Sequence, residues 1–291
     1  MQSLGSSGDP AKAENRMHTV ELDSPLIVHA FAGPDGKKSS LSCELRSVGL
    51  QCHDIDTRRE GIPDMDLLDD TVWESVKTML QEKAKGAMVD PPCGTFSRVR
   101  NHRPGPPVLR STEHIHGLPE IRAVAKHKEE LRKADILAER AIETCEIMHS
   151  RGLPFGFESP APVADEPSIF LLPRAIALAK LPGVFSVVFD QCRFGALTTK
   201  PSQILAFKLP ISDWCELRCS HTPDWHEFLD AYGTSHWKWS AHPPIAGNKA
   251  MGQWASAAAA AFPQELNVGL ARAFASAVLE SEIECAPIIA E

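Results

Sequence analysis

The chain has 291 residues, 43% hydrophobic and 23% charged, a balance that buries a core and excludes a wholly disordered polymer. Its formal net charge of −8 excludes a grip on nucleic acid by global phosphate neutralisation, so any such contact has to be local. No apolar run approaches the roughly 20 residues of a membrane helix.

Residues 1–24, rich in Gly, Ser and polar side chains, read as a disordered lead-in without the charged-then-apolar design of a secretory signal, so an intracellular protein is expected. "PLIVHAFAG" (25–33) is a short apolar run closed by glycine, a buried strand. "SSLSCELRSVG" predicts a helix capped by Ser39 and stopped at Gly49, and "LQCHDID" a second strand ending in acids. "DDTVWESVKTMLQEKAKG" places Val72, Val76, Met79 and Leu80 on one helical face, with Asp at its start and Lys near its end. "AMVDPP" is a third strand, cut off by proline. After a long loop, residues 121–151 predict a charged helix with Ala134, Leu137, Ala138, Ala141, Cys145 and Met148 along one side.

"LPFGFESP" is a further strand, "SIFLLPRAIALAKLPG" a helix, and "VFSVVFDQC" and "SQILAFKL" two more strands. Strands alternating with helices imply an α/β fold, a three-layer, doubly wound, mostly parallel sheet in one domain over residues 25–280. From 210 to 253 the pattern breaks into Trp, His, Cys, Pro and Gly, an irregular insertion. "WASAAAAAFPQELNVGLARAFASAVLE" closes the domain as helix with Pro263 at a helix start, and 281–291 is a tail. The eight cysteines fall mostly in apolar stretches, which suits buried free thiols better than a disulfide framework.

Three stretches carry chemistry. "FAGPDG" ends the first strand in a glycine turn and "HDID" ends the second in acids, the arrangement by which doubly wound sheets hold an adenosine. The three-glycine diphosphate fingerprint is absent, which favours an adenosine ligand without phosphates, such as S-adenosylmethionine; a plain turn beside a solvated acidic strand end is the alternative. In "VDPPCGTFSRVR" two prolines fix φ and remove two donors, so the chain leaves the sheet in a rigid arc. Cys93 is thereby aimed over the carboxyl ends of the strands, where open α/β sheets bind ligands and a deprotonated thiol is a strong nucleophile; a buried structural cysteine is the alternative. In "FGFESP", Glu158 ends another strand between Phe157 and Pro160, surroundings that raise a carboxyl pKa. Between residues 98 and 140 ten Lys or Arg stand against six Asp or Glu, a modest local basic region.

The ordered series "FAGPDG", "DID", "DLLDD", "DPPCGTFS", "FESP" and "FDQCRFGALTTKPSQIL", followed by "AAFPQELNVGLARAF", resembles the motifs of the DNA cytosine-5 methyltransferases, above all compact, divergent members from phages and mobile elements. The resemblance spans about residues 26–279. It implies a Rossmann-like methyltransferase fold, S-adenosyl-L-methionine as cofactor, and methyl transfer to carbon 5 of cytosine in DNA through a covalent cysteine adduct. Phe31, Gly33 and Pro91 would line the cofactor pocket, Asp54 or Asp56 would hold the ribose, and Asp66 would sit near the adenine amine. Cys93 would attack carbon 6 of a flipped or single-stranded cytosine, Glu158 would protonate or hydrogen-bond ring nitrogen 3, and Arg193 or Lys200 would supply a cation near the cytosine carbonyl. The loop bearing Ser97, Arg98, Arg100 and Arg103 would contact DNA.

The chain departs from the family pattern at several places. Glu-Ser-Pro replaces Glu-Asn-Val, Gln-x-Arg-x-Arg has no literal copy, His29 stands where the first strand usually carries an acid, and only about 44 residues (210–253) remain for target recognition. Two other readings therefore stay open: a catalytically weakened nucleic-acid or partner-binding module of a mobile element, and an amino-group methyltransferase, whose signature also begins Asp-Pro-Pro but takes an aromatic residue where Cys93 stands. The spacing of Cys215, Cys219 and His221, with His226, His236 and His242 beyond, permits zinc but matches no strict Cys-x-x-Cys pattern, and no metal is assigned. Trp225, Trp237 and Trp239, with a neighbouring lysine, either stack on bases or pack the insertion.

Overall fold

The computed structural model describes residues 24–33, 40–57, 65–97, 100, 106–230, 232–244, 249–250, 253–254 and 260–285. Residues 1–23 of the expected lead-in, Ser39, Arg98 and Arg103 lie outside the described residues. Six strands form one sheet: β1 (Leu26–Ala30), β2 (Gln51–Ile55), β3 (Ala84–Val89), β4 (Phe155–Pro160), β5 (Val184–Asp190) and β6 (Pro201–Phe207), in the order β2-β1-β3-β4-β6-β5. The first four pair in parallel, and β6 runs antiparallel to both β4 and β5. Only residues 191–200 join β5 to β6, fewer than the dozen or so that a parallel crossover needs, so β6 has to return antiparallel.

Successive strand side chains feed two cores. Val28, Ala30, Ala87 and Val89 pack on one face with helices α2 (Asp70–Glu82), α4 (Ala125–Ser150) and α5 (Pro173–Leu178). Ile27 and Met88 pack on the other with α1 (Leu41–Ser47) and α6 (Gln264–Cys285). The result is the expected α/β/α layering around a mostly parallel sheet. Among the described residues no helix is long and apolar enough to cross a membrane.

Several local readings are corrected. Ser40 caps α1, its hydroxyl accepting from the Cys43 amide at 3.4 Å. The helix expected over 121–151 is two, α3 (Pro119–Arg122) and α4, separated at Val124, whose backbone is extended. In "SIFLLPRAIALAKLPG" a 3-10 turn, Ile169–Leu171, precedes α5, because Pro173 suits only a helix's first position. The insertion is not irregular throughout: β7 (Asp224–Leu229) and β8 (Ser235–Ser240) form an antiparallel hairpin, and β9 (Lys249–Ala250) pairs with β10 (Gln253–Trp254). No residue of β7 or β8 is buried, so the hairpin lacks the one-sided apolar alternation that would have announced it. Helix α6 runs to Cys285, into the stretch expected as a tail. The seven described thiols are free, but only Cys145 and Cys192 are buried, while Cys43 and Cys215 are exposed.

Candidate active site

Strand β1 passes through α1 to β2 on one side, while β3 pairs with β1 on the other. Loops leaving β1 and β3 therefore diverge, the switch point at which open α/β sheets form a ligand crevice. A cavity of about 1350 Å3 lies there, lined among others by Phe31, Gly33, Asp56, Asp66, Pro91, Cys93, Ser97, Glu158 and Lys200.

The first wall follows β1. Phe31 adopts φ 66°, a left-handed conformation costly for a side-chain-bearing residue, and its amide donates to the Ile55 carbonyl at 2.7 Å. The Gly33 amide donates to Asp56 Oδ2 at 2.9 Å, which joins the β1 turn to the end of β2. Of the two acids expected at the ribose, Asp56 lines the cavity and Asp54 does not. Asp54 still belongs to β2 and is held below the site, accepting from the Ser42 hydroxyl and lying 3.6 Å from Arg46 Nη2. Asp66 reaches the cavity while its Oδ1 accepts from the Leu68 amide at 2.9 Å.

The second wall is the arc after β3. The Asp90 amide makes a last bond to the Ala30 carbonyl at 3.2 Å; Pro91 and Pro92 carry no amide proton, and the chain turns, the Phe96 amide donating to the Cys93 carbonyl at 2.9 Å. Arg110, 1% exposed and not singled out by any sequence motif, anchors this turn. Its guanidinium lies 4.0 Å from the Phe96 ring centroid, donates to Thr95 Oγ1 at 3.1 Å and to the Ile115 carbonyl at 2.5 Å, and pairs with Asp135 at 2.7 Å. We expect Arg110→Met to lower stability by about 3 kcal/mol, read as a fall in the urea midpoint, because it strands polar partners around a buried site.

Glu158 comes from β4. Gly156, two residues earlier, lets this strand approach its neighbour, since a Cβ there would meet Met88 Sδ at 2.7 Å. Glu158 is 5% exposed, and its Oε1 is buried without a hydrogen-bond partner. Burial raises its pKa above the ordinary carboxyl value; the Lys200 ammonium opposes the rise, Asp90 adds to it, and hydrogen bonds from Ser202 and Gln191 oppose it. Burial also raises the Cys93 thiol, aided by the charge of Glu158 and opposed by Lys200. Thiol, carboxyl and ammonium thus sense one another across the cavity, and the sulfur rests protonated. Lys200 is held at φ 34° immediately before Pro201, so two of the four described non-glycine residues with positive φ, Phe31 and Lys200, line this cavity. Strained backbone of this kind collects at functional sites.

Other expected residues lie elsewhere. Arg193 does not line the cavity; its Nη1 donates to Ser220 Oγ at 2.7 Å. Arg100, expected to contact DNA, donates within its loop to the Gly94 carbonyl at 2.6 Å and the Pro107 carbonyl at 3.1 Å and pairs with Glu130. His29, noted only as a departure, is buried on β1 with Nε2 2.9 Å from Asp90 Oδ2 and Nδ1 3.4 Å from Asp54 Oδ1. Burial lowers its pKa, but the two carboxylates outweigh that and hold it up at about 9.

The third wall, missed in the sequence, is the end of the β7–β8 hairpin, which brings Lys238, Ser240 and His242 to the cavity, with Asn267 from α6. Comparison of the chain with models of protein families, with curated proteins and with solved structures returns no match.

Proposed function

We propose that this cavity transfers a methyl group from S-adenosylmethionine to carbon 5 of cytosine in DNA, and that the sheet is a methyltransferase sheet of the Rossmann-like kind. The observation that carries the reading is one cavity wall bearing a thiol, Cys93, beside a buried carboxyl, Glu158, whose Oε1 lacks a partner. An unpartnered buried oxygen is costly unless a ligand supplies its hydrogen bond, and ring nitrogen 3 of a cytosine is such a partner when protonated.

The far end of the cavity suits the methyl donor: the Phe31 ring offers an apolar face, and Asp56 and Asp66 offer acceptors for ribose hydroxyls and an adenine amine. S-adenosylmethionine, when bound, supplies an electrophilic methyl group. Cys93 gives up its proton to water as its sulfur adds to carbon 6 of the pyrimidine, which makes carbon 5 an enamine carbon able to take that methyl group. Glu158 holds the proton at nitrogen 3 that offsets the charge developing on the ring, and Lys200 places a cation where the neighbouring carbonyl becomes electron-rich. Loss of the carbon 5 proton to water then breaks the carbon–sulfur bond and restores the thiolate. The base has to leave its stack, because carbon 5 and carbon 6 are covered inside a duplex. Trp225, Trp237 and Trp239, all more than half exposed on the hairpin that borders the cavity, are available to stack on the displaced strand.

The test is incubation of the protein with methyl-labelled S-adenosylmethionine and either duplex or single-stranded DNA, followed by nucleoside analysis. The expected product is labelled 5-methylcytosine, with a covalent adduct on Cys93 when 5-fluorocytosine replaces the target base. Label on an exocyclic amine would replace this reading with the amino-group reaction. Cofactor binding without incorporation into either DNA would leave a nucleic-acid-binding module.

A further inference from the structure

We propose that Cys192, Cys219, His221 and His242 bind one structural zinc ion that staples the β7–β8 hairpin to the sheet. One ligand atom from each of these four residues lies within 4.8 Å of all the others. Cys219 Sγ is 3.6 Å from His221 Nδ1 and 3.3 Å from His242 Nε2. Zinc–sulfur and zinc–nitrogen bonds of about 2.3 and 2.05 Å at the tetrahedral angle give a sulfur–nitrogen edge of about 3.5 Å, so both distances are those of neighbouring ligands on one ion.

The surroundings are arranged as for a metal. His242 Nδ1 lies 3.2 Å from the Leu197 carbonyl, and a proton donated there leaves Nε2 bare toward the cluster. Asp190, at the end of β5, accepts from the Cys219 amide at 2.7 Å and so fixes the backbone of the central ligand. Two thiolates together neutralise a divalent cation, with two protons released on binding, and four protein ligands close the coordination shell in the manner of a structural site. The sulfur–nitrogen donor set selects zinc over magnesium or calcium.

The chain needs such a staple at this place. A two-stranded hairpin is marginal in water by itself, and none of the residues of β7 and β8 is buried. Its two ends carry His221 and His242, while Cys192 belongs to the 3-10 turn directly after β5. Because His242, Ser240 and Lys238 line the large cavity, the ion would also fix that cavity's third wall. Cys215, which the spacing alone permitted as a ligand, is exposed and outside the group, and Cys192 takes its place.

The full chain, purified without chelator, should carry one zinc ion by elemental analysis. Exchange into cobalt should give the visible bands of a tetrahedral site with thiolate charge transfer. Cys192→Ser and Cys219→Ser should each lose the metal, whereas Cys215→Ser should retain it and the cobalt spectrum unchanged. A folded wild-type chain that binds neither metal, full zinc retention in Cys192→Ser and Cys219→Ser, or a Cys192–Cys219 disulfide in the mass spectrum would overturn the assignment. The cobalt spectrum of the wild type decides the matter even if a variant fails to fold.

Discussion

If the proposed reaction is the one this cavity carries out, Cys93→Ser reduces methyl transfer to cytosine on the order of 10³-fold or more, because a hydroxyl at this position is a far weaker nucleophile toward carbon 6 than a thiolate. Glu158→Gln will cost about 10²- to 10⁴-fold, the usual range for loss of a positioned proton donor. The electrostatics of the pair give a further test that needs no DNA. Burial and the charge of Glu158 both disfavour the Cys93 thiolate, while Lys200 favours it, so the thiol stays protonated beyond its ordinary value of 9.0. Alkylation of Cys93, followed on its own peptide apart from the exposed Cys43 and Cys215, will therefore rise only in strongly alkaline solution. Glu158→Gln removes a repelling charge and moves the profile to lower pH; Lys200→Met removes an attracting one and moves it to higher pH. If Glu158→Gln leaves the profile in place, the carboxyl and the sulfur do not share the cavity electrostatically, and the two-residue mechanism loses its basis.

The parts of this site that could be read from the sequence are those governed by local rules. Alternation in "PLIVHA" and "GAMVD" separates Ile27 and Met88 from Val28, Ala87 and Val89, so both cores follow from a period of two. The two prolines after Asp90 end strand pairing wherever they occur, which is why Cys93 could be placed at the mouth of the sheet. Choices that depend on where an element stops were not legible. Asp54 and Asp56 have the same parity, and only the end of β2 at Ile55 sends one under α1 and the other into the cavity. Arg193 and Lys200 both follow β5, and the compact turn between them directs the arginine to Ser220 and the lysine to the site. Groups assembled from distant segments left no pattern at all. Arg110 meets Asp135 across 25 residues, and Cys192 meets Cys219 across 27, one in the turn after β5 and the other in the insertion.

His29→Leu will lower stability by about 3–5 kcal/mol at neutral pH, because it leaves Asp54 and Asp90 without the cation they enclose. The wild type will show the same link through pH. His29 is held protonated to about 9 in the folded protein against 6.5 when solvated. That difference corresponds to about 3 kcal/mol, present in full below the solvated value and lost as pH rises through the folded one. Cys52, Cys93 and Cys145 also have raised values and oppose folding in alkaline solution. The quantity to compare is therefore the difference in urea-unfolding free energy between chains with His29 and with His29→Leu at about pH 6 and about pH 10, both carrying Cys52→Ala because that thiol lies 3.4 Å from Asp54; the contributions of the more distant thiols then cancel. The difference should shrink by most of those 3 kcal/mol across that interval. The triad matters beyond stability: His29, Asp54 and Asp90 tie together the ends of β1, β2 and β3, the three strands whose loops carry Phe31, Asp56 and Cys93. Asp90 gives one oxygen to His29, and its Oδ1 is buried without a hydrogen-bond partner on the cavity wall. A difference that stays flat with pH would mean a neutral His29, and Asp90 would then press an uncompensated charge on Glu158 and raise that carboxyl further.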